Sequence, residues 1–329
     1  MAGANSAEIP GETAGMTGYY QRLGRACLEP LWESLAALAP AEPTARARPH
    51  LWPYDQVRDH LIEAGRLITA EEAERRVVVL ANPGLPGKLQ ATDTLYAGLQ
   101  LILPGEIAPA HRHSQSALRF VMEGQGAYTA VDGARAYMAP GDFIITPAMT
   151  WHEHSGGGEP VIWLDGLDVP LVGFLGAEFR DELGGASLPP ARQDGSHAFA
   201  WPYQRTREAL QRLAASQDID PWRGHVLDYR HPDGRWAMPT LGPTLTLLPK
   251  GFATLPYKSV DGAVASLVEG RVRATVAGES FELGPRDLLA LPGWTNVRLE
   301  ALEESVLFAF SDRPVYEALG LWREARAAA

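Results

Sequence analysis

Part of this chain is written twice, and the repetition limits what it can fold into. Val121-Met-Glu-Gly124 is matched by Leu267-Val-Glu-Gly270, and Thr146-Pro147 by Leu291-Pro292. Pro140-Gly-Asp-Phe143 has its counterpart in character in Gly284-Pro-Arg-Asp287-Leu288. Between such landmarks lie short apolar runs: Leu101-Ile-Leu103, Arg119-Phe-Val-Met122, Tyr128-Thr-Ala-Val131 and Phe143-Ile-Ile145. Gly124, Gly126, Gly133 and Gly141 punctuate them. Short strands at regular spacing with glycine turns predict a barrel or jelly roll. A repeat of this size predicts two copies of it, running from Thr92 to about Val172 and from Met238 to about Ser311.

The flanks read differently. Leu23, Cys27, Leu28, Leu31 and Leu35 recur at helical spacing, which predicts an amphipathic helix over Tyr19 to Leu38, kinked or split at Pro30. Further helices are expected from Tyr54 to Ala64, from a capping box at Thr69, from Thr206 to Ala215 and after Pro314. Val77 to Leu80 begins strand structure, and Leu183 to Gly195, rich in Pro and Gly, reads as a loop. The expected organisation is an N-terminal helical arm and lead-in strand (1–85), a first barrel (86–185), a linker with a helix (186–235), a second barrel (236–312) and a closing helix (313–329).

With 329 residues, 46% hydrophobic and 21% charged, the chain is long enough for two domains with real cores. Its net charge of −11 argues against nucleic acid or an anionic membrane surface as partner. Neither a signal peptide nor a membrane span is evident, and the single cysteine, Cys27, permits no internal disulfide. A cytoplasmic protein is expected, with Cys27 as a buried apolar residue.

The histidines carry the chemistry. His111-Arg-His113 and His152-Glu-His154 sit about forty residues apart. On a strand, residues i and i+2 share a face, so both pairs can enter one cavity and present neutral imidazoles to a metal. The predicted ligands are His111, His113 and His152, with His154 open to three readings: fourth ligand, acid/base or solvated residue. The other five histidines, His50, His60, His197, His225 and His231, read as ordinary hydrogen-bonded residues. Aligned on the Glu-Gly turn, His111 and His113 correspond to Tyr257 and Ser259, and His152 falls near Val297. One metal site is therefore expected, in the first barrel only. Arg119 interrupts an apolar strand, Ala117-Leu-Arg-Phe-Val121, and an arginine there is costly unless paired. It either binds a substrate carboxylate or forms an ion pair with Asp165, Asp168 or Glu123.

His-x-His, the Glu-Gly turn, Pro140-Gly-Asp142 and Pro147 five residues before His152 resemble the cupin superfamily in its two-barrel, bicupin form. The glutamate ligand usual in that superfamily's first motif is missing: Ala117 and Leu118 stand there. Leu95-Tyr-Ala-Gly-Leu-Gln100, Ala117-Leu-Arg-Phe120, Trp151-His-Glu-His154 and Trp163-Leu-Asp-Gly-Leu-Asp168 are similar to the gentisate 1,2-dioxygenase family, which includes salicylate and 1-hydroxy-2-naphthoate dioxygenases. The resemblance implies a mainly β fold: two double-stranded β-helix (jelly-roll) barrels with N-terminal helices and helical linkers. It also implies one Fe(II) per subunit, O₂ as co-substrate, a small aromatic 2-hydroxy acid as substrate, and a homotetramer. Gentisate would be opened to maleylpyruvate; salicylate, a 5-amino-, 5-nitro- or 5-halosalicylate, or 1-hydroxy-2-naphthoate are the alternatives. From another class, a metal cupin that binds a small molecule without turnover fits the same residues. The implied catalytic residues are Arg119, His154, Gln100, Asp165 and Asp168, with Arg119, Gln100, His154, Tyr96 and Trp163 contacting substrate. Asp165 and Asp168 support a histidine or arginine from behind in this reading, and core packing is an equal reading for Tyr96 and Trp163.

Overall fold

The computed structural model describes residues 15–184, 188 and 199–328. Most of the loop expected from Leu183 to Gly195 lies outside the described residues, as does His197. Met1–Pro43 is a unit of its own. Its described part is two helices, Met16–Arg25 and Leu31–Leu38, divided at Pro30 as expected. Cys27 corrects the sequence reading. It is exposed rather than buried: it sits past the end of the first helix at φ 55, and the apolar positions that follow it, Leu28, Leu31 and Leu35, are themselves more than half exposed.

Thr44–Ala329 is the second unit, and it contains two barrels built strand for strand alike. In the first, a six-stranded sheet runs Ala200–Trp201, Phe143–Thr146, Ala117–Glu123, Val161–Leu167, Tyr96–Ile102, Val77–Val79. A five-stranded sheet runs Arg180–Glu182, Ile107–His113, His152–Ser155, Tyr128–Val131, Ala134–Tyr137. The second barrel has His50–Trp52, Leu288–Leu291, Ala263–Glu269, Ser305–Ser311, Gly242–Leu248, His225–Asp228, with Glu324–Arg326, Tyr257–Ser259, Val297–Ala301, Val272–Val276, Glu279–Leu283. Alternation explains the layout. Ala117–Glu123 and Val161–Leu167 lie mid-sheet and bury six of their seven residues each, whereas Val272–Val276 buries every second residue, as a strand with one wet face should.

The repeat extends beyond the strands. Trp52-Pro-Tyr54 and Trp201-Pro-Tyr203 each end a short edge strand and open a 14-residue helix, Tyr54–Leu67 and Tyr203–Ser216. Each edge strand joins the other copy's barrel: His50–Trp52 pairs with Leu288–Leu291, and Ala200–Trp201 with Phe143–Thr146. The straps are bonded alike. The Tyr54 N–H donates to Asp287 at 2.8 Å and the Tyr203 N–H to Asp142 at 2.8 Å. The Tyr54 hydroxyl and Arg58 both donate to Glu123, the Tyr203 hydroxyl and Arg207 both to Glu269. Duplicated Trp-Pro-Tyr, with arginine four residues on, was the available sequence signal for this longer repeat.

Two carboxylates complete the symmetry between the barrels. Asp168 accepts from the Ser116 N–H of its own barrel at 2.9 Å and from the Thr240 hydroxyl at 2.5 Å. Asp312 accepts from the Gly262 N–H at 2.9 Å and from the Thr94 hydroxyl. Between these latches Phe120 and Phe308 stack at 4.1 Å, 9° from parallel, with Phe143 and Tyr229 against Phe308. All four rings are at most 2% exposed, and each such side chain contributes roughly 1.5–3 kcal/mol by leaving water.

Candidate metal centre

The first barrel brings its histidines together. His111 lies directly opposite His152 across the antiparallel pair of strands, past an irregularity between Ala108 and His111. His113 follows two residues on, on the same face. Ring centroids are 4.1 Å apart for His111 and His152, 4.8 Å for His113 and His152, and 5.4 Å for His111 and His113. One ligand nitrogen from each falls within 4.8 Å of the others.

The rings are oriented by the backbone. His111 Nδ1 lies 3.2 Å from the Pro109 carbonyl, His113 Nδ1 2.8 Å from that of Gln115, and His152 Nδ1 3.0 Å from that of Thr150. An Nδ1–H that donates to a carbonyl leaves the Nε2 lone pair free to ligate. His152 Nε2 is buried with no hydrogen-bond partner among the described residues, a costly arrangement that a metal ion resolves. Burial also keeps the imidazoles neutral: it is the first cause pulling His111 down to about 3, His113 to about 4 and His152 well below its ordinary value. Three neutral nitrogens fit a divalent metal with open positions.

The cluster borders an open cavity of about 520 Å³ that also exposes Tyr96, Gln100, Arg119 and Asp165. Arg119 Nε stands 3.6 Å from Asp165, and its NH1 donates to the Thr146 hydroxyl at 2.5 Å. Nε itself has no hydrogen-bond partner among the described residues. The ion pair read from sequence is therefore present, and the guanidinium still faces the cavity. Burial raises Asp165 to about 6, although Arg119 pulls the other way. Burial, then Asp165, raises Tyr96.

The other expected residues lie elsewhere. His154 packs behind His152, 5.8 Å between centroids, with Nδ1 2.9 Å from the Thr129 hydroxyl. Trp163 is wholly buried and donates its indole N–H to Asp165 at 2.9 Å. Asp168 corrects the sequence reading: both its oxygens are used in the latch between barrels, so it is a structural tie. The second barrel, as expected, has no histidine in this place. Tyr257 pairs with Val297 in the register that His111 and His152 use.

Arg75 was missed. One of its guanidinium nitrogens is 2.7 Å from His111 Nδ1 and 3.1 Å from the Pro109 carbonyl, and it borders the cavity with Phe179 and Arg180. Burial, then Arg119 and Arg180, lower it to about 10. Arg75 and the Pro109 carbonyl compete for one nitrogen. A guanidinium donating to Nδ1 requires the Nε2–H tautomer, which cannot ligate. Nothing in the sequence marks Arg75, which follows Glu74 in an irregular turn at φ 51, outside any periodic element.

Barrels, straps and a neutral three-histidine cluster define a bicupin with a metal-type site in its first half. Residues 98–167 match the Cupin domain family. The chain is 43% identical to gentisate 1,2 dioxygenase 1 of Aquipseudomonas alcaligenes, covering 97% of this chain and 99% of that one. It is 37% identical to gentisate 1,2-dioxygenase of a Streptomyces species, covering 91% and 92%. A crystal structure of salicylate 1,2-dioxygenase from Pseudoaminobacter salicylatoxidans in adduct with gentisate superposes with a TM-score of 0.88 at 30% identity, covering 99% of this chain and 98% of that one. The chain belongs to the gentisate 1,2-dioxygenase family of ring-cleaving oxidoreductases.

Proposed function

We propose that this chain is an Fe(II) enzyme that opens gentisate (2,5-dihydroxybenzoate) with O₂, between the carbons bearing the carboxylate and the ortho-hydroxyl, giving maleylpyruvate. The observation that carries the reading is a set of three neutral imidazoles facing a cavity that also exposes two guanidiniums, half-buried Arg75 and buried Arg119. His111, His113 and His152 would hold the iron. When bound it supplies open coordination positions where an anionic chelating substrate and O₂ meet in reacting geometry.

The remaining steps belong to this chain's side chains. Arg119, and Arg75 once released from His111, bind the substrate carboxylate by charge-assisted hydrogen bonds. Asp165 holds Arg119 in place and, with its raised pKa, can take or return a proton near pH 6. Gln100 and Tyr96 line the wall and orient the ring. His154 and Trp163 support from behind, His154 on His152 and Trp163 on Asp165. The gentisate-named relatives favour gentisate over salicylate as substrate. The same resemblance supports a homotetramer in the cytoplasm; among the described residues no helix is long and apolar enough to cross a membrane.

The test is oxygen uptake by anaerobically Fe(II)-loaded protein with gentisate, salicylate and 5-aminosalicylate in parallel, products identified by mass. One O₂ consumed per ring opened, fastest with gentisate, supports the proposal. Faster turnover of a salicylate reassigns the substrate, and no uptake by iron-loaded protein overturns the dioxygenase reading in favour of a binding role.

A further inference from the structure

The second barrel has lost the histidines but kept a cavity in the same place. In the first barrel Arg119 pairs with Asp165 across the sheet, and Gln100 with Trp163. The equivalent pairs in the second are Ala265 with Ala309, and Thr246 with Leu307. Large polar side chains have become small ones, and the space has not closed: a cavity of about 180 Å³ remains, bordered by Thr246, Ala265, Ala309 and Tyr257. A dry apolar cavity of roughly 150 Å³ is enough to take a benzene ring.

Its lining is of two kinds. Leu289, Leu307 and Phe310 form apolar wall. Charged residues border it as well: Arg223, Lys258 and Arg313, with Asp261. Arg313 is already engaged, donating to Glu317 at 2.6 Å and lying 4.1 Å over the Trp322 ring. Asp261 accepts from Ser259 and is one carboxylate beside these cations. Arg223 forms no ion pair among the described residues, while its charge reaches both Tyr257 and Asp261. A guanidinium without an ion pair, beside an apolar chamber, is complementary to an anion with an apolar body.

We propose that the second barrel is a second ligand site, taking a small monocarboxylic acid with a ring-sized apolar body, its carboxylate on Arg223 and its ring against Leu289, Leu307 and Phe310. The site is separate from the three-histidine cavity and does not depend on what that cavity turns over.

Benzoate is the probe, titrated calorimetrically into the full chain, with 4-bromobenzoate soaked into crystals so that the bromine's anomalous signal reports position. The expected result is a bromine peak inside the second barrel with the carboxylate at Arg223. In solution one benzoate-binding event per chain should weaken roughly tenfold or more in Arg223→Gln, as loss of a charge-assisted bond implies, and disappear in Ala309→Phe, whose ring fills the chamber. Thr246→Leu, a smaller intrusion, reads the same loss should Ala309→Phe not fold. Bromine only in the first barrel, or only at crystal concentrations with no benzoate binding in solution, overturns the proposal. So does binding indifferent to Arg223→Gln.

Discussion

Asp312 offers the most quantitative check on how the barrels are joined. It is 2% exposed, accepts from the Gly262 N–H and the Thr94 hydroxyl, and is raised from 3.8 to about 7, first by burial. A carboxyl whose folded pKa lies above its unfolded one stabilises the fold fully below the unfolded value. That contribution is lost as pH rises through the folded value. The window here runs from about pH 4 to about pH 7, and a shift of about three units corresponds to about 4 kcal/mol. Asp312→Asn keeps the shape, keeps an oxygen for the Gly262 N–H, and turns an NH₂ toward a Thr94 oxygen that can accept. It cannot ionise. At pH 4 to 4.5 the variant should match wild type within about 1 kcal/mol, since the wild-type carboxyl is neutral in the fold and only partly ionised in the unfolded chain. By pH 8 it should be more stable by up to about 4 kcal/mol, or roughly 8 °C in Tm. Urea and thermal unfolding of the metal-free chain at pH 4.5, 6 and 8 measure the difference. Two curves that run parallel across that range would refute the reasoning, as would a variant less stable than wild type at pH 8.

Three further outcomes follow from named contacts. Arg75→Met removes the group that competes for His111 Nδ1, so metal affinity measured by chelator competition should hold or rise, while KM for gentisate rises roughly tenfold or more; weaker metal binding contradicts the assignment. Tyr203→Phe deletes the strap hydroxyl that donates to Glu269 and should cost about 1.5–3 kcal/mol by urea titration, with metal content unchanged; a neutral result denies the strap its role. Met149 holds a left-handed φ of 64 with its side chain 43% exposed, so Met149→Gly should relieve strain of about 1–2 kcal/mol, less about 0.5–1 kcal/mol of added chain entropy, and raise Tm slightly; a lower Tm would show the Met149 side chain to be in productive contact.

What the sequence disclosed followed from periodicity. His111, His113 and His152 were legible because period two sets faces and the second copy lacks them, and the register Tyr257–Val297 bears out that alignment. The split at Pro30 and the Thr69 capping box were legible because each is a local rule with a local cause. The misses are residues whose role depends on distant partners. Asp168 sits in the same apolar strand pattern as Asp165, yet one faces Arg119 and the other Thr240, 72 positions away. Arg75 lies in a turn with no period to read. Cys27 fitted the apolar stripe of its helix, but the helix stops at Arg25.

The duplicated scaffold explains how the first barrel can carry so costly a site. Its centre gathers three neutral histidines, a buried Arg119 and Asp165, and Arg75 beside them, and burial opposes the charged form of every one. None of these groups holds the barrels together. That work falls to the Tyr54 and Tyr203 straps, the Asp168 and Asp312 latches and the Phe120–Phe308 stack, which have counterparts in both halves or lie between them. Because the joints are separate from the cavities, the polar residues of one cavity can be exchanged for alanine and threonine without undoing the register around them, and the second barrel shows this at Ala265, Ala309 and Thr246. The same separation makes a demand on the first barrel. Substitutions at Gln100 or Tyr96 should move substrate preference far more than stability, whereas changes at the straps and latches should do the reverse.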